Sequence, residues 1–365
     1  MINRLFLAVL AGVTMAGVGL FTWGRAEAGE VSGVAGYRVL APIRQGNLTV
    51  FPVVAANAHD TREFLTLDEG LRSGEVIVTE SGNISPLVRP RHGQPERPIR
   101  QGGAQVNQLV LVNNSKRPLI LLAGEIVTGG KQDRVIGKDR LVPAESDPID
   151  LGVFCVEPGR WTGSSAKFGS MNSAMAQPAV RAKAMGDKDQ GKVWEYVRKS
   201  QAEMAAAVPP AAARELNNTS SYAGVMQNLE VQRTVDSVAA PIERNYESVI
   251  KQLRDRNAVG VVVAVNGEVI WADMFASTSL LEKYWPKLVR SYAAEAVVTR
   301  AKNAEATEKA AQQFLDNLEG RRQMVESEPG LYRHTEITGD GFKAFELTSL
   351  LPKTGFDLHV AKMAE

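Results

Sequence analysis

The segment GVVVAVNGEVIWADMF, residues 260–275, contains the strongest fold signal in the chain. Two apolar runs flank the dipeptide Asn266-Gly267, and both of its residues tolerate the positive φ angles that a type I′ turn requires. The segment therefore predicts an antiparallel β-hairpin, with strands over residues 260–265 and 268–275.

Helical periodicity appears on both sides of this hairpin. Four apolar side chains at helical spacing follow it: Leu281, Trp285, Leu288 and Tyr292. This pattern favours an amphipathic helix that packs on the hairpin over an aromatic ligand box. Further helices are predicted over residues 193–204, 242–253 and 304–318, and Pro241 suits the first turn of the second of them.

The N-terminal half has the composition of strands and turns. Residues 37–161 contain short runs rich in Val, Ile and Leu, separated by Gly, Asn, Asp or Pro. Strands are predicted over residues 48–55, 75–80, 108–113, 118–123 and 151–157. Residues 113–116, between two of these strands, have the polar composition of a hairpin connection.

These patterns predict an α+β protein. Its N-terminal half is β-rich with a mixed or antiparallel sheet, and its C-terminal half consists of helices plus a β-hairpin. Closing strands are predicted over residues 342–347 and 356–360. Residues 162–190 are rich in Ser, Gly, Ala, Met and Lys, which indicates a mobile connection or a lid over a site.

Composition excludes several classes of protein. The chain has 365 residues, of which 44% are hydrophobic and 23% charged, as in folded globular proteins. Its 42 basic and 41 acidic residues give a net charge of +1, which argues against general nucleic-acid binding. The single cysteine excludes an internal disulfide. Residues 86–103, rich in Pro and Arg, are interpreted as a solvated loop because no aromatic residues are interleaved.

The first 28 residues have the features of a secretory signal peptide. Arg4 supplies a basic start, residues 5–21 are apolar, and residues 26–28 (AEA) fit the small-x-small cleavage rule. A retained membrane anchor is the alternative, although three glycines weaken the apolar run as a spanning helix. We predict cleavage before Gly29, an exported periplasmic or extracellular protein, and no stable membrane span after cleavage.

Familiar catalytic and cofactor motifs are absent from the sequence. It contains no phosphate-binding loop, no dinucleotide-binding glycine pattern, no nucleophile elbow and no His-Glu-x-x-His. Four histidines are scattered along the chain: His59, His92, His334 and His359. None forms an i, i+4 pair, so no cofactor and no histidine metal centre are predicted, while a carboxylate site for a metal stays open.

Charged and aromatic residues that follow predicted strands are the candidates for a functional site. They are Glu125, Lys131, Gln132, Asp133, Arg134, Glu157, Arg160 and Trp161. Because their two segments follow buried strands of one predicted sheet, the two glutamates and two arginines are expected to converge at a sheet end, with the others nearby. Strand alternation places Cys155 on the same face as Glu157, and this thiol is expected to be a buried apolar side chain rather than a nucleophile.

Several of these residues carry a resemblance to a known family. The segments concerned are Gly124-Glu125, GGKQDR at 129–134, CVEPGRW at 155–161, the hairpin at 260–275, Trp285, and SYA at 291–293. In this order and spacing they resemble the ARG and Rhodanese-Phosphatase-superfamily-associated Protein family. The resemblance spans residues 37–296, with residues 86–103 as an insertion and the C-terminal segment as an added tail.

The resemblance implies one composite domain, because it runs across the predicted connection. The expected organisation is a signal peptide at 1–28, a family domain at 37–300 (β-rich half 37–161, connection 162–190, helical and hairpin half 191–300), and a C-terminal helix and strands at 301–365. The family's name records neighbourhood with ADP-ribosylglycohydrolases and rhodanese-like phosphatases. That neighbourhood implies at most a nucleotide-like or ADP-ribose ligand.

Three functional classes remain open at this stage. The first is a binding module for an unknown small molecule, in which Arg134 and Arg160 present guanidinium groups to an anion and the adjacent tryptophan stacks. The second is a structural envelope protein with a buried Glu/Arg network. The third is a hydrolase-like enzyme that uses Glu125 with Glu157, or Cys155. The sequence decides neither the ligand nor the oligomeric state.

Overall fold

The computed structural model describes residues 36–83, 104–253 and 257–365. The predicted signal peptide and the Pro- and Arg-rich loop therefore lie outside the described residues. The strands are β1 (Tyr37–Val39), β2 (Ile43–Gln45), β3 (Leu48–Ala55), β4 (Leu65–Thr66), β5 (Val76–Thr79), β6 (Gln108–Asn113), β7 (Leu119–Leu121), β8 (Glu125–Gly129), β9 (Arg134–Ile136), β10 (Arg140–Val142), β11 (Ile149–Cys155), β12 (Phe168–Met175), β13 (Asn257–Val265), β14 (Glu268–Phe275), β15 (Gly320–Glu328), β16 (Tyr332–Gly339), β17 (Phe342–Ser349) and β18 (Asp357–Ala364). The helices are α1 (Leu67–Ser73), α2 (Pro178–Ala182), α3 (Gln190–Ala207), α4 (Pro210–Asn217), α5 (Tyr222–Gln227), α6 (Leu229–Lys251), α7 (Thr278–Val298) and α8 (Glu308–Asp316).

The largest sheet joins the two halves of the chain. Its strand order is β1-β3-β13-β14-β18-β17-β16-β15, with β2 also paired to β3, and every pairing is antiparallel. The predicted hairpin β13–β14 is confirmed, and Asn266 and Gly267 have φ angles of 53° and 81°. N-terminal strand β3 lies on one side of this hairpin and the last strand, β18, on the other.

Two smaller sheets complete the β structure. The six-stranded sheet has the order β12-β8-β9-β11-β6-β5, and the three-stranded sheet has the order β10-β7-β4. Strands β4 and β7 are parallel, so the architecture includes a mixed sheet. The predicted α+β class is confirmed, with helices in the middle of the chain and strands mostly toward its ends.

Helix α7 lies in the hydrophobic core, and most of its side chains are buried. Ser277 caps its first turn by accepting a hydrogen bond from the Leu280 amide. The four apolar side chains predicted to pack on the hairpin are all buried: Leu281, Trp285, Leu288 and Tyr292. This confirms the amphipathic helix. No helix within residues 36–83, 104–253 and 257–365 combines the length and apolarity needed to cross a bilayer.

Residues 113–116 do not join a hairpin, so that prediction was wrong. The Asn113 side chain accepts a hydrogen bond from the Ser115 amide and holds a turn, but the flanking strands enter different sheets. Strand β6 pairs with β5 and β11, whereas β7 pairs with β4 and β10. Strands β6 and β7 are both largely buried. Each has a strand on both sides, and none of these neighbouring strands is the other member of the predicted hairpin.

Pro241 does not begin a helix, which is a second correction. Helix α6 begins at Leu229, where the Asn228 side chain accepts from two backbone amides, and it continues through Pro241 to Lys251. A proline inside a helix costs about 3 kcal/mol. Buried side chains lie on both sides of it, among them Val235 and Ile242, so tertiary packing outweighs this cost.

The segment 162–190 contains regular structure, although its composition indicated a connection or a lid. It includes strand β12, helix α2 and a π-helical turn over Lys183–Asp187. Arg181 from α2 is completely buried. The segment thus contributes to a sheet and to the core.

Candidate functional site

The loop between β8 and β9 is the centre of the predicted site. Gly129 and Gly130 have φ angles of 126° and 52°, in the region that favours glycine. A Cβ on Gly130 would lie 2.2 Å from Cζ of Phe168 and 2.8 Å from Oε1 of Glu80. The double glycine therefore allows the backbone to lie directly against β12 and the end of β5.

Asp133, Glu157 and Arg160 converge beside this loop. Arg160 Nη2 lies 2.6 Å from Glu157 Oε2 and 3.5 Å from Asp133 Oδ1. Its Nη1 donates to the carbonyls of Gly130, at 3.1 Å, and Thr162, at 3.0 Å. The Asp133 amide donates to Glu157 Oε2 at 3.0 Å. The guanidinium group is therefore occupied by acceptors of the chain itself.

The environment shifts the ionisation of this cluster. Burial, together with the nearby Glu157 carboxylate, raises the pKa of Asp133 against the opposing hydrogen bonds from Gly129 and Ser221. The hydrogen bond to Glu157 raises the pKa of Arg160. A carboxylate and a guanidinium this close neutralise each other, which leaves little net positive charge here for an anion.

Arg134 and Gln132 also bond inward. Arg134 is completely buried, and its Nε donates to the carbonyl of Val106 at 2.8 Å. Gln132 Nε2 donates to the carbonyl of Glu157 at 3.1 Å. The Arg134 guanidinium was expected to bind a ligand. In the structure it instead holds the segment before β6 against the start of β9.

Glu125 belongs to a separate buried cluster. Lys287 Nζ, from α7, bonds to Glu125 and lies 2.8 Å from Asp68 Oδ2 of α1. Burial disfavours the ammonium, but the Glu125 and Asp68 carboxylates outweigh it and raise the pKa of Lys287. The structure therefore brings Glu157 and Arg160 into contact with Asp133, while Glu125 forms its ion pair with Lys287.

Lys131 and Trp161 form the solvent-facing part of the predicted set. Trp161 is 43% exposed, and Nζ of Lys131 lies 4.9 Å from the centroid of its ring. An ammonium at this distance from an indole ring is in a cation–π arrangement. An aromatic surface and a cation are thus both accessible next to the double glycine.

Among the described residues, three side chains at the end of β5 and in the loop after β8 have a buried oxygen without a partner. These oxygens are Oε2 of Glu80, Oγ of Ser81 and Oε1 of Gln132. Glu80 is 3% exposed, and its other oxygen accepts from the Lys131 amide at 2.9 Å. Buried oxygens of this kind ordinarily receive a hydrogen bond from protein, water or ligand. Glu80 was missed by the sequence analysis, although a carboxylate directly after the buried strand β5 was a usable signal.

Cys155 is buried, as predicted. Its thiol is completely inaccessible and accepts a hydrogen bond from the Glu157 amide at 3.3 Å. Burial raises the pKa of Cys155, whereas a nucleophilic cysteine needs a lowered pKa. Strand alternation in β11 is confirmed by the burial of Leu151, Val153 and Cys155.

A third charged cluster, which sequence reasoning missed, joins the largest sheet to α2 and to the β9–β10 connection. Arg181 makes two hydrogen bonds to the Asp273 carboxylate, each 2.9 Å long. His359 Nε2 lies 3.1 Å from Asp273 Oδ1, and its Nδ1 lies 2.5 Å from Asp139 Oδ2. Trp271 Nε1 also donates to Asp273 Oδ2 at 2.9 Å. We call Asp139, Arg181, Asp273 and His359 the buried hub.

The buried hub is closed to solvent, since all four of its side chains are 0% exposed. Burial alone would raise the pKa of Asp273, but Arg181 and His359 outweigh it and hold this pKa well below its usual range. Position 124 of the motif at 124–125 has no room for a side chain, because a Cβ there would lie 2.6 Å from Cγ of Arg181. The hub thus connects α2, β14, β18 and the β9–β10 connection as a structural element.

Metal ligation receives no support from these clusters. Within the described ranges, no group of three or more His, Cys, Asp or Glu side chains has an arrangement that holds a metal ion.

Comparison with known proteins identifies the family. A family model described as the ARG and Rhodanese-Phosphatase-superfamily-associated Protein domain matches residues 36–361. The match includes β15–β17 and most of β18, which the sequence had placed in an added tail. No curated protein and no solved structure matched the chain. Since the match covers most of the sequence, the chain belongs to the ARG and Rhodanese-Phosphatase-superfamily-associated Protein family.

Proposed function

We propose that this protein is an exported binding protein for a sugar-bearing small molecule, and that its site lies at Gly129–Asp133 and Trp161. The observation that carries the proposal is Lys131, whose ammonium lies over the exposed Trp161 ring and whose amide donates to Glu80, since Glu80 and Gln132 each have a buried oxygen without a partner among the described residues. Sugar hydroxyl groups donate to such acceptors, and a sugar or base ring packs on an aromatic face.

We favour a hydroxyl-rich ligand over a simple anion because the two arginines near the site are already paired inside the chain. Arg134 and Arg160 donate to acceptors of the chain itself, so an anion would have to rely on Lys131. Neutral glycans and nucleotide sugars both carry hydroxyl groups, but only nucleotide sugars carry phosphates that the Lys131 ammonium would attract. Comparing the binding of neutral and phosphorylated ligands therefore distinguishes the two.

The test is a binding screen that reports on Trp161 fluorescence. The probes are neutral oligosaccharides, amino sugars, and ADP-ribose and ATP as anionic sugar-bearing compounds. We expect one class to bind the parent, and expect Trp161→Ala and Glu80→Gln each to weaken that binding by about tenfold or more, which corresponds to about 1.4 kcal/mol. Calorimetry replaces fluorescence for the tryptophan variant.

A matched control is Leu229→Ala, because Leu229 is 68% exposed and lies at the start of α6, outside the proposed site. This variant should bind as the parent does. If the parent binds none of the probes, or if Trp161→Ala and Glu80→Gln bind as tightly as the parent, the proposal is wrong.

A structural role in the envelope is the second candidate, and the internal pairing of charges favours it. Glu157 pairs with Arg160, and Glu125 with Lys287, inside the chain. A purely structural protein would tolerate Trp161→Ala without loss of function and would bind none of the probes. The screen therefore separates the two candidates.

Export is tested separately from binding. Residues 1–28 carry the signal-peptide pattern, so protein recovered from the envelope should begin at Gly29. Intact-mass measurement decides this. A membrane-bound species that retains Met1 would contradict both cleavage and export as a soluble protein.

A further inference from the structure

Strand β15 is an exposed edge of the largest sheet. Among the described strands it pairs only with β16, at the end of the strand order. Eight of its nine residues are exposed, on both faces of the sheet. At about 3.4 Å per residue, this edge offers roughly 30 Å of backbone for pairing with another strand.

The middle of β15 is apolar. In the described part of the chain four large apolar side chains are exposed: Trp161, Leu229, Met324 and Val325. Two of the four are adjacent in this strand, at 60% and 36% exposure. Two exposed apolar side chains thus lie at the centre of this edge strand, where a pairing strand would cover part of their surface.

The charges of β15 are divided between its two ends. Arg321 and Arg322 precede the apolar centre, and Glu326 and Glu328 follow it. In an antiparallel pair of identical strands, the basic end of one copy lies opposite the acidic end of the other. In a parallel pair, like charges would lie opposite each other, which is unfavourable. The sequence of this strand is thus complementary to itself in the antiparallel orientation.

Part of this charge is available for a second copy. Arg322 is paired with Glu346 and Glu326 with Lys138 inside the chain. Within the described residues Arg321 has no ion pair, and Glu328 is half exposed, with Arg140 at 4.0 Å. The outer residues of the strand are therefore the ones that meet across a pairing.

We propose that β15 is a self-association edge, through which two copies of this chain pair antiparallel about a twofold axis at the Met324–Val325 centre. The pairing would join two nine-stranded sheets into one continuous sheet. Its apolar centre and charged ends match the usual division of an interface into core and rim.

Charge reversal tests the proposal in the full mature chain. We expect sedimentation velocity at low salt to give a concentration-dependent dimer. Arg321→Glu and Glu328→Arg should each weaken the dimer by about tenfold or more, and the double variant should restore it, because the opposite charges are exchanged. Added salt should weaken the parent dimer.

Lys116→Glu is the matched control, since Lys116 is an exposed cation in the loop after β6. It should leave the dimer unchanged. Thermal unfolding of every variant checks that the fold is intact. A parent that stays monomeric at all concentrations overturns the proposal. A dimer that neither single reversal weakens, or that the double variant weakens further, also overturns it.

Discussion

The imidazole Nδ1 of His359 lies 2.5 Å from Oδ2 of Asp139, and neither side chain is exposed to solvent. This bond connects strand β18, near the end of the chain, to the β9–β10 connection, 220 residues earlier. Asp139 is held in turn by the Ala123 amide, which donates to its other oxygen at 2.7 Å. The relationship makes the stability of the fold depend on the protonation of one histidine.

The first prediction concerns pH. Burial disfavours the charged imidazole, but Asp139 and Asp273 outweigh it and raise the pKa of His359 to about 9 from 6.5. The stabilisation from the charged histidine is therefore complete below pH 6.5 and is lost as pH rises through about 9. At about 1.4 kcal/mol per pKa unit, the loss is on the order of 3 kcal/mol.

Denaturant unfolding of the parent and His359→Gln across this pH range measures the effect. Titrating groups outside the buried hub contribute equally to both proteins, so the difference between their free energies of unfolding reports on the histidine and the two carboxylates that it contacts. That difference should shrink as pH rises. Equal slopes for parent and variant would contradict the prediction.

The second prediction concerns the Lys287 ion pair. Lys287→Met leaves Glu125 buried without its counter-ion, which should cost about 3 to 5 kcal/mol of unfolding free energy. The double variant Lys287→Met with Glu125→Leu removes the uncompensated carboxylate and should recover part of this loss. Denaturant titration of the parent, both single variants and the double variant gives the coupling energy. A double variant as unstable as the sum of the single variants would show that the two side chains are independent.

The third prediction concerns the double glycine. Gly130→Ala would place a Cβ 2.2 Å from Phe168 at a φ of 52°, so we expect a loss of about 1 to 3 kcal/mol. Gly152→Ala is the matched control, because a Cβ added there would have nothing within 4 Å of it. Thermal and denaturant unfolding should separate the two variants. If they unfold alike, the close approach at Gly130 is not a constraint on the fold.

The fourth prediction concerns the reactivity of Cys155. Because the thiol is completely buried and burial raises its pKa, native protein at neutral pH should react very slowly with a water-soluble thiol reagent. Unfolded protein should react at once, which controls for reagent and thiol content. Rapid stoichiometric labelling of the native protein would support a reactive cysteine instead.

Local patterns in the sequence were sufficient for much of the fold. The Asn266-Gly267 turn and the apolar spacing of α7 depend on neighbouring residues, and the structure confirms both. Strand partners depend on distant residues, so the β6–β7 hairpin was predicted wrongly. Proline is a strong local signal, but packing along the whole of α6 outweighed it at Pro241.

The candidate site could be predicted only where its parts are close in sequence. Glu157 and Arg160 are three residues apart and contact each other and Asp133. By contrast, Glu125 pairs with Lys287, which lies 162 residues further along the chain. Arg181 pairs with Asp273, which is 92 residues away. Alternation and helical periodicity carry no information on such pairs, because they report which face is buried and not what lies opposite.

Strand β18, the last strand of the chain, is an interior strand of the largest sheet, between β14 and β17. It also supplies His359 to the buried hub. The sheet therefore cannot close until β18 has been synthesised, whatever order the other strands follow. A nascent or C-terminally truncated chain would leave β14 and β17 as open edges. Open strand edges of this kind can pair with strands of other chains, so folding and aggregation compete until β18 is in place.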